Sequence, residues 1–345
     1  MHHTKDLISA FQDLIVTTYG DHTEFDRITA YQSSTKSALI IIQSIDQFPI
    51  DSPPAVVVTT EEFADQLKDI YTGFIICVTD TKLAQALFKQ RYDDYQAHDA
   101  EWPDIHPSAV IHDSAQIGNN VKIGPNVVIG ADCKISDNVI IRANAVIEHN
   151  VTIGADSIIN SLANIGYDCE LGSRVNIQSG CIIGNEGYGF AADKNGNHHR
   201  IPHTGNVILH DDVYIGSNGC VDRGTYGSTI INKGVKIDNL CHIAHNVEIG
   251  ENSLFIAQCG VAGSCKIGKR VILSGQTGVL DHITIPDDSV LVHRAGVIES
   301  LPHGGMWAGL PPKPFREFMR SLRADKKIKR LQNDIKELKK LIIKE

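Results

Sequence analysis

The sequence lacks the features that would indicate a metal-binding, disulfide-bonded or membrane-spanning protein. Its 345 residues include eight cysteines but no CxxC pair, so neither a zinc cage nor a redox motif is predicted. No apolar run approaches the roughly 20 residues needed to cross a bilayer, and no signal peptide is recognisable. We therefore expect a cytoplasmic protein with no transmembrane segment, no bound metal and no nucleic-acid partner.

Aromatic residues are also scarce, at 6% of a chain that is 42% hydrophobic. Aliphatic side chains must fill the core, and they recur at every sixth position. This period fits neither an α-helix nor a free-standing strand, but it is typical of a hexapeptide β-helix whose triangular coils contain three hexads each. The repeat positions are Ile105, Ile111, Ile117, Ile123, Ile129, Ile135, Ile141, Ile147, Ile153, Ile159, Ile165, Leu171, Ile177, Ile183, Leu209, Ile215, Val221, Ile231, Ile237, Ile243, Ile249, Phe255, Val261, Ile267, Leu273, Val279, Ile285, Leu291 and Val297.

The cysteines fit this repeat as packing residues. Six of them follow an aliphatic repeat position by four residues, which is the second inward position of the hexad. A thiol behaves there as a small buried hydrophobe, so reduced cysteines are predicted. These six are Cys133, Cys169, Cys181, Cys241, Cys259 and Cys265.

The pattern divides the chain into three parts. Residues 1–100 lack the period and are predicted to form an α/β domain. Residues 101–305 form a mainly β part, a left-handed parallel β-helix of about ten coils. Residues 306–345 form a helical tail. The runs that predict the first domain are strands at Ala38–Ile42, Ala55–Val58 and Gly73–Val78 and helices at Glu61–Leu67 and Thr81–Arg91.

Two segments interrupt the period, and function in a repeat scaffold belongs to such departures. Residues 185–206 are too long and Gly-rich for a turn and should project as a flap. Residues 222–230, DRGTYGSTI, lengthen one spacing from six to ten. Both precede Ile237–Gly250, whose sequence is IDNLCHIAHNVEIG.

The stretch Ile237–Gly250 contains the histidine that we predict to be catalytic. His245 follows Ile243 by two residues, at a turn where side chains point outward. Equivalent positions of neighbouring coils are about eighteen residues apart, so Gly263 should lie directly against His245 on the next coil. His282 should lie two coils away on the same edge. His149 shares the local motif but not this neighbourhood, and a surface role is expected for it.

These motifs resemble the UDP-3-O-(3-hydroxyacyl)glucosamine N-acyltransferases of lipid A synthesis. The resemblance covers nearly the whole chain. It rests on NEGYGFA, DRGT, IDNLCHIAHNVEIGEN, VAGSCKIG and AGVIESLPHGGMWAGLPPKPFRE. It implies a homotrimer with active sites in clefts between neighbouring prisms.

The resemblance also implies a mechanism. The 2-amino group of a UDP-3-O-acylglucosamine would attack a 3-hydroxyacyl thioester that acyl carrier protein presents on its 4'-phosphopantetheine arm, with no permanently bound cofactor. His245 would be the general base, the Gly263 N–H would stabilise the oxyanion, and Asp238 would orient His245. His282 would bind the nucleotide diphosphate.

The first domain departs from the family pattern. The family holds the uracil ring with a Phe, an Asn and a Tyr spaced by threes. Here the aligned positions are Ile40, Gln43 and Asp46, with Phe48 close by. The resemblance therefore implies that Gln43 and Ile40 bind the substrate without an aromatic sandwich.

The tail combines an apolar seam with positive charge. Ile328, Leu331, Ile335, Leu338 and Ile342 are spaced as in a heptad repeat, which predicts that three tails pack together. Residues 313–345 carry a net +7, which leaves −16 for residues 1–312 of a chain with −9 in total. Acyl carrier protein is acidic, so we expect it to bind near Arg316, Arg320 and Arg323.

Other functions remain open at this point. A CoA-dependent acetyltransferase would explain the prism but not the first domain, the flap or the basic tail. The O-acyltransferase acting on UDP-N-acetylglucosamine usually lacks a leading α/β domain. A prism-type carbonic anhydrase needs three histidines around zinc, and a purely structural β-helix leaves the interruptions unexplained.

Overall fold

The computed structural model describes residues 1–92, 102, 104–292 and 294–342. The chain forms two compact units, Met1–Asp99 and Ala100–Glu345. Each unit has its own apolar core, and the tail helix belongs to the second.

The first unit is the predicted α/β domain, built on a five-stranded sheet. In spatial order its strands are Ile15–Tyr19, Phe74–Val78, Val56–Thr59, Ala38–Ile41 and Arg27–Thr29, of which only the first runs antiparallel to its neighbour. The helices are Thr4–Ala10, Glu61–Leu67 and Thr81–Tyr92, with 3-10 turns at Gln12–Leu14, Tyr31–Ser33 and Ile45–Gln47 and a small ribbon of His2–His3 with Glu24–Phe25. Apolar side chains cover both sides of the central strands, as is usual where strands pair in parallel.

The second unit is a triangular prism, and each of its three faces is a sheet of parallel strands. The predicted left-handed parallel β-helix is therefore confirmed. The first face contains Lys122–Ile123, Ile140–Ile141, Ile158–Ile159, Asn176–Ile177, Tyr214–Ile215, Lys236–Ile237, Leu254–Phe255, Ile272–Leu273, Ser289–Val292 and Gly305–Ala308, with Lys313–Pro314 antiparallel at its end. The second face contains Val110–Ile111, Val128–Ile129, Val146–Ile147, Asn164–Ile165, Ile182–Asn185, Cys220–Asp222, His242–Ile243, Gly260–Val261, Gly278–Val279 and Gly296–Val297. The third face contains Gln116–Ile117, Lys134–Ile135, Thr152–Ile153, Glu170–Leu171, Asn206–Leu209, Ser228–Ile231, Glu248–Ile249, Lys266–Ile267 and Thr284–Ile285.

The hexad explains how the prism is built. From Ile123 to Val297 every repeat position is buried in one continuous core, and the six packing cysteines are buried with them. From Ile117 onward, the third residue after most of the repeat aliphatics turns the corner with a positive φ, between 54° and 64° for the non-glycine residues. Asn and Asp tolerate this left-handed conformation best, which is why they recur at the corners.

The spacing between stacked strands changes at the two interruptions. Paired residues are eighteen positions apart along most of the prism, as in Ile147 and Ile165. Across the flap the partner of Ile183 is Val221, and across the second insertion the partner of Val221 is Ile243. These separations are 38 and 22 residues, yet the core register is unbroken.

Two elements project from the prism, a hairpin and a helix. The flap is a hairpin of Phe190–Ala192 and His198–Arg200. The tail helix is Phe315–Ile342, and the last parallel strand, Gly305–Ala308, extends the prism past the predicted boundary at residue 305. Among the described residues, every helix is too short or too polar to span a bilayer.

Candidate active site

A groove of about 690 Å³ runs along the second face beside the two interruptions. On the two coils after His242, the equivalent outward-facing residues are Gly260 and Gly278, and their backbone forms the floor of the groove. A Cβ atom at either glycine would meet no other atom within 4 Å. The groove is therefore open space left by missing side chains.

The structure brings His245 and Gly263 together in this groove, as the eighteen-residue spacing predicts. A Cβ atom on Gly263 would lie 2.6 Å from Cε1 and 2.7 Å from Nε2 of His245, so only glycine fits beneath the ring. Ala262 and Ser264 donate their amides to the carbonyls of Val279 and His245. Within the described residues, the amide of Gly263 donates to no protein acceptor.

The contacts of Asn246 determine which nitrogen of His245 carries the proton. The side-chain oxygen Oδ1 of Asn246 accepts a hydrogen bond from the Thr225 amide at 2.9 Å, and Nδ2 donates to the Tyr226 carbonyl at 2.7 Å. This fixes Oδ1 as the atom 3.2 Å from His245 Nδ1, with Thr225 Oγ1 at 3.4 Å. Nδ1 of the neutral ring must therefore donate, and Nε2 is left with a lone pair.

Among the described residues of the single chain no hydrogen bond joins Asp238 to His245, so its predicted orienting role stays a prediction. Asp238 follows a strand of the first face, whereas His245 follows a strand of the second. The Asp238 carboxylate accepts hydrogen bonds from the amides of Asn239 at 2.7 Å and Ala257 at 3.1 Å. Within the chain it stabilises turns on another edge, and Asn246 is the residue that contacts His245 Nδ1.

His282 lies on the same groove but is far more exposed than His245. Its backbone occupies a left-handed corner position, with φ 57°. Its amide donates to the Gly263 carbonyl at 3.0 Å, which links the two corners directly. The side chain is thus placed at the groove edge, where it can reach a ligand.

The flap adds a histidine that sequence reasoning missed. The ring of His203 meets that of His245 edge-on, with centroids 4.9 Å apart. His203 is buried, its Nδ1 lies 2.9 Å from the Ile201 carbonyl, and its amide donates to Glu186 Oε1. Because the flap has no period, its return onto His245 could not be inferred from spacing.

A buried arginine fastens the flap to the prism. The guanidinium of Arg223 donates to the carbonyls of Gly184, Gly205 and Tyr167 at 2.7, 3.0 and 3.2 Å, and it stacks on the Tyr167 ring. Gly184 and Gly205 are at the two ends of the flap. Arg223 therefore holds both ends at the second insertion.

Beside it, Asp222 is a buried carboxylate. Its Oδ2 lies 3.5 Å from His242 Nε2, and the Cys220 thiol lies 3.7 Å from its Oδ1. Burial raises the pKa of Asp222, and the charge of His242 opposes that shift. The sequence motif DRGT thus supplies two buried ionisable side chains, Asp222 and Arg223.

In the first unit the structure separates the two predicted substrate-binding residues. Ile40 is fully buried in the sheet between the apolar clusters, so its predicted contact with substrate is wrong. Phe48 is also buried, against Tyr71. Gln43 is exposed and lines a groove of about 410 Å³ that also contains Tyr31, an aromatic residue that the spacing argument missed.

The tail helix leaves its predicted residues accessible. Arg316 and Arg320 are exposed on its first turns, whereas the side chain of Arg323 lies outside the part of the chain that the structure describes. The seam residues Ile328, Leu331 and Ile335 are each about half exposed in the single chain.

Comparison with known proteins identifies the family. The chain is 40% identical to the UDP-3-O-acylglucosamine N-acyltransferase of Methylococcus capsulatus over 347 aligned positions, which cover 99% of this chain and 98% of the relative. The chain belongs to the UDP-3-O-acylglucosamine N-acyltransferases. A second member of this family, from Desulfotalea psychrophila, is 50% identical over 46% of each chain. The protein is therefore an N-acyltransferase.

Two weaker likenesses concern the prism of this family member. A family model described as GMPPB C-terminal domain matches residues 105–188. The crystal structure of the UDP-N-acetylglucosamine acyltransferase of Arabidopsis superposes with a TM-score of 0.54 at 23% identity, covering 59% of this chain and 71% of the other. At that identity the likeness establishes the fold alone.

Proposed function

We propose that this acyltransferase transfers a 3-hydroxyacyl chain from acyl carrier protein to the 2-amino group of UDP-3-O-acylglucosamine, in the cytoplasm, as a step of lipid A synthesis. The observation that carries the proposal is the His245 ring resting on Gly263, with Nδ1 committed to Asn246. This leaves a basic nitrogen and an unpaired amide side by side in one groove.

The chemistry follows from that pair. The amine nitrogen attacks the thioester carbonyl carbon while Nε2 of His245 removes a proton from it. A neutral histidine, with an ordinary pKa of about 6.5, suits this role near neutral pH. The Gly263 N–H would stabilise the oxyanion, the C–S bond breaks as the amide forms, and the imidazolium returns the proton to the leaving thiolate.

The substrate would be held at two places. His282, at the groove edge, would bind the diphosphate of the nucleotide. In the first unit, the groove with Tyr31 and Gln43 offers an aromatic face and an amide for the uracil ring. This replaces the predicted pair of Ile40 and Gln43, since Ile40 belongs to the core.

The decisive experiment is a mass-spectrometric assay of the purified protein. UDP-3-O-acylglucosamine and a panel of hydroxyacyl carrier proteins should give a product whose new acyl chain is amide-linked and survives the mild alkali that cleaves the 3-O-ester. An ester product from UDP-N-acetylglucosamine, or turnover with acyl-CoA alone, would contradict the proposal.

We also propose that the protein acts as a trimer and recruits its acidic carrier through the tail. The half-exposed seam at Ile328, Leu331 and Ile335 needs a partner, because an isolated amphipathic helix is marginal in water. Three copies around a closed axis would cover it. Analytical ultracentrifugation that finds a monomer at micromolar concentration would contradict this assembly.

The carrier-binding role of the tail can be separated from assembly. Reversing Arg316, Arg320 and Arg323 to Glu should raise the KM for acyl carrier protein several-fold and leave the KM for the nucleotide sugar unchanged. Added salt should mimic the defect in the unaltered protein, since surface charges are screened within about 10 Å at 0.1 M.

A matched control reverses Arg330, Lys336 and Lys339, which lie farther along the same helix and change the net charge equally. Both variants must sediment as trimers. If the first variant is trimeric and uses the carrier normally at low salt, the tail charges do not bind it.

A further inference from the structure

Three side chains with metal-ligating atoms meet on the outer side of the second face, next to the groove. Cys220 and Asp222 are two residues apart on one strand, where successive side chains point to opposite faces, so these two point to the same side. His242 is the register partner of Cys220 on the next coil. The thiol sulfur, a carboxylate oxygen and an imidazole nitrogen all lie within 4.8 Å of one another.

Two separations in the cluster, each to a different oxygen of Asp222, are close to the distances between the ligands of a tetrahedral zinc ion. With Zn–S of about 2.3 Å and Zn–O and Zn–N of about 2.1 Å, tetrahedral angles place sulfur and oxygen about 3.6 Å apart and oxygen and nitrogen about 3.4 Å apart. The separation of Cys220 Sγ from Asp222 Oδ1 is 3.7 Å. That of Asp222 Oδ2 from His242 Nε2 is 3.5 Å.

We propose that Cys220, Asp222 and His242 form a zinc-binding site with three protein ligands and a fourth position left for a small ligand such as water. This proposal does not depend on the acyl-transfer reaction. His242 also lines the groove, so a cation held here would lie at its wall.

The chemical types of the three ligand atoms indicate which metal would bind. A mixed set of sulfur, nitrogen and oxygen suits Zn²⁺, whereas Mg²⁺ and Ca²⁺ prefer oxygen ligands alone. Asp222 is 4% exposed, and within the described residues its one ion-pair partner is His242, whose side chain is half exposed. Buried charges in proteins are paired or coordinate metals, and a bound cation would compensate this carboxylate more fully than His242 does.

Binding at this site must release a proton. An ordinary cysteine is mostly a protonated thiol at neutral pH. Zinc binds the thiolate, so the S–H bond gives way to an S–Zn bond and the proton passes to buffer. Metal affinity should therefore rise as pH rises.

The test uses full-length protein that has been stripped of metal with a chelator. Calorimetric titration with Zn²⁺ in two buffers of different ionisation enthalpy should show one strong site per chain and release of about one proton per metal. Titration with Co²⁺ should give the intense near-ultraviolet absorption of a cobalt–thiolate bond. Neither measurement depends on enzymatic activity.

Three variants locate the site. Cys220→Ser should abolish the cobalt–thiolate band and the proton release. His242→Gln, at a half-exposed position where folding is not at risk, should weaken zinc binding by more than about tenfold. Cys133→Ser is the matched control, since that thiol lies inside the prism far from the cluster, and it should leave both signals intact.

The proposal is overturned if the stripped protein binds no zinc at micromolar concentration. It is also overturned if binding persists unchanged in both Cys220→Ser and His242→Gln. Either result would mean that the three side chains form only a network in which the thiol and the imidazole hydrogen-bond to Asp222.

Discussion

The stretches Ile147–Ile153 and Ile243–Ile249 have nearly the same sequence, IEHNVTI and IAHNVEI, and lie on the same edge of the prism. They are four coils apart, on the order of 19 Å at the usual strand spacing. In both, the histidine is the first corner residue and the asparagine has a positive φ. The local sequence therefore produces the same backbone twice.

The surroundings differ completely. The residue eighteen positions after His149 is Tyr167, and the two rings stack in parallel with centroids 5.1 Å apart. Asn150 donates to the Asp168 carboxylate instead of holding a histidine nitrogen. At His245 the corresponding position is Gly263, and an insertion reaches over to fix Asn246. The neighbours on adjacent coils, rather than the local sequence, thus distinguish His245 from His149.

The comparison is tested most directly by removing each histidine. His245→Ala should lower kcat by at least about 10²-fold, the usual loss for a missing general base. His149→Ala should keep the kcat of the unaltered protein, since its ring only packs on Tyr167. Steady-state measurement of kcat for both variants is the test. Equal losses of kcat would show that the neighbouring residues do not distinguish His245 from His149.

The next largest effect should come from the residue beneath each ring. In Gly263→Ala the new methyl group would lie 2.6 Å from His245 Cε1, so the ring must shift. A displacement of about 1 Å can cost up to 10²-fold, and we expect a kcat loss of tenfold or more. Gly260→Ala, where the methyl group meets no atom, should reduce kcat far less. Similar losses would indicate that bulk in the groove matters rather than ring position.

A smaller effect is expected at the asparagines. Asn246→Ala should lower kcat about fivefold, the equivalent of about 1 kcal/mol for one hydrogen bond. Asn246→Asp should move the acidic limb of the kcat profile to higher pH, because a carboxylate at Nδ1 favours the protonated ring, which cannot act as a base. Asn150→Ala is the control, and a pH profile unchanged by Asn246→Asp would refute the assigned contact.

The smallest effect concerns stability at the first copy. His149→Ala removes a parallel ring stack, which is worth about 0.5–1 kcal/mol beyond its buried area. Its Tm should fall slightly while activity stays normal. A thermal-shift measurement checks this, and a Tm above that of the unaltered protein would mean that the stack is strained.

The sequence predicted those parts of the site that obey the period. His245, Gly263 and His282 share one edge because equivalent corners recur every eighteen residues, and the structure places all three on one groove. His203 and the contacts of Asn246 come from the two interruptions, which have no period. No spacing rule could bring them to His245. Asp238 is close to His245 along the chain but follows a strand of another face, so the six-residue period alone does not bring the two together within one prism.

The first unit shows a different limit. Its strands were recognised from their apolar runs, but a central parallel strand is covered on both sides, so most of its side chains are not free to bind a ligand. Ile40 is such a residue. Tyr31, in a 3-10 turn beyond a strand end, has no neighbours in sequence that indicate its groove. Loop residues of this kind are assigned only when the turns are known.

The 38-residue separation across the flap also affects how the prism assembles. A solenoid folds as a one-dimensional array, because each coil is stabilised only by the two that it touches. Closing 38 residues rather than eighteen before the next coil can stack costs about 0.7 kcal/mol more in chain entropy. Among the described coils, stacking across this joint therefore has the largest cost in chain entropy. His203 and the two ends of the flap that Arg223 contacts lie at this same joint. The site is therefore complete only when the coils before the flap have stacked on those after it.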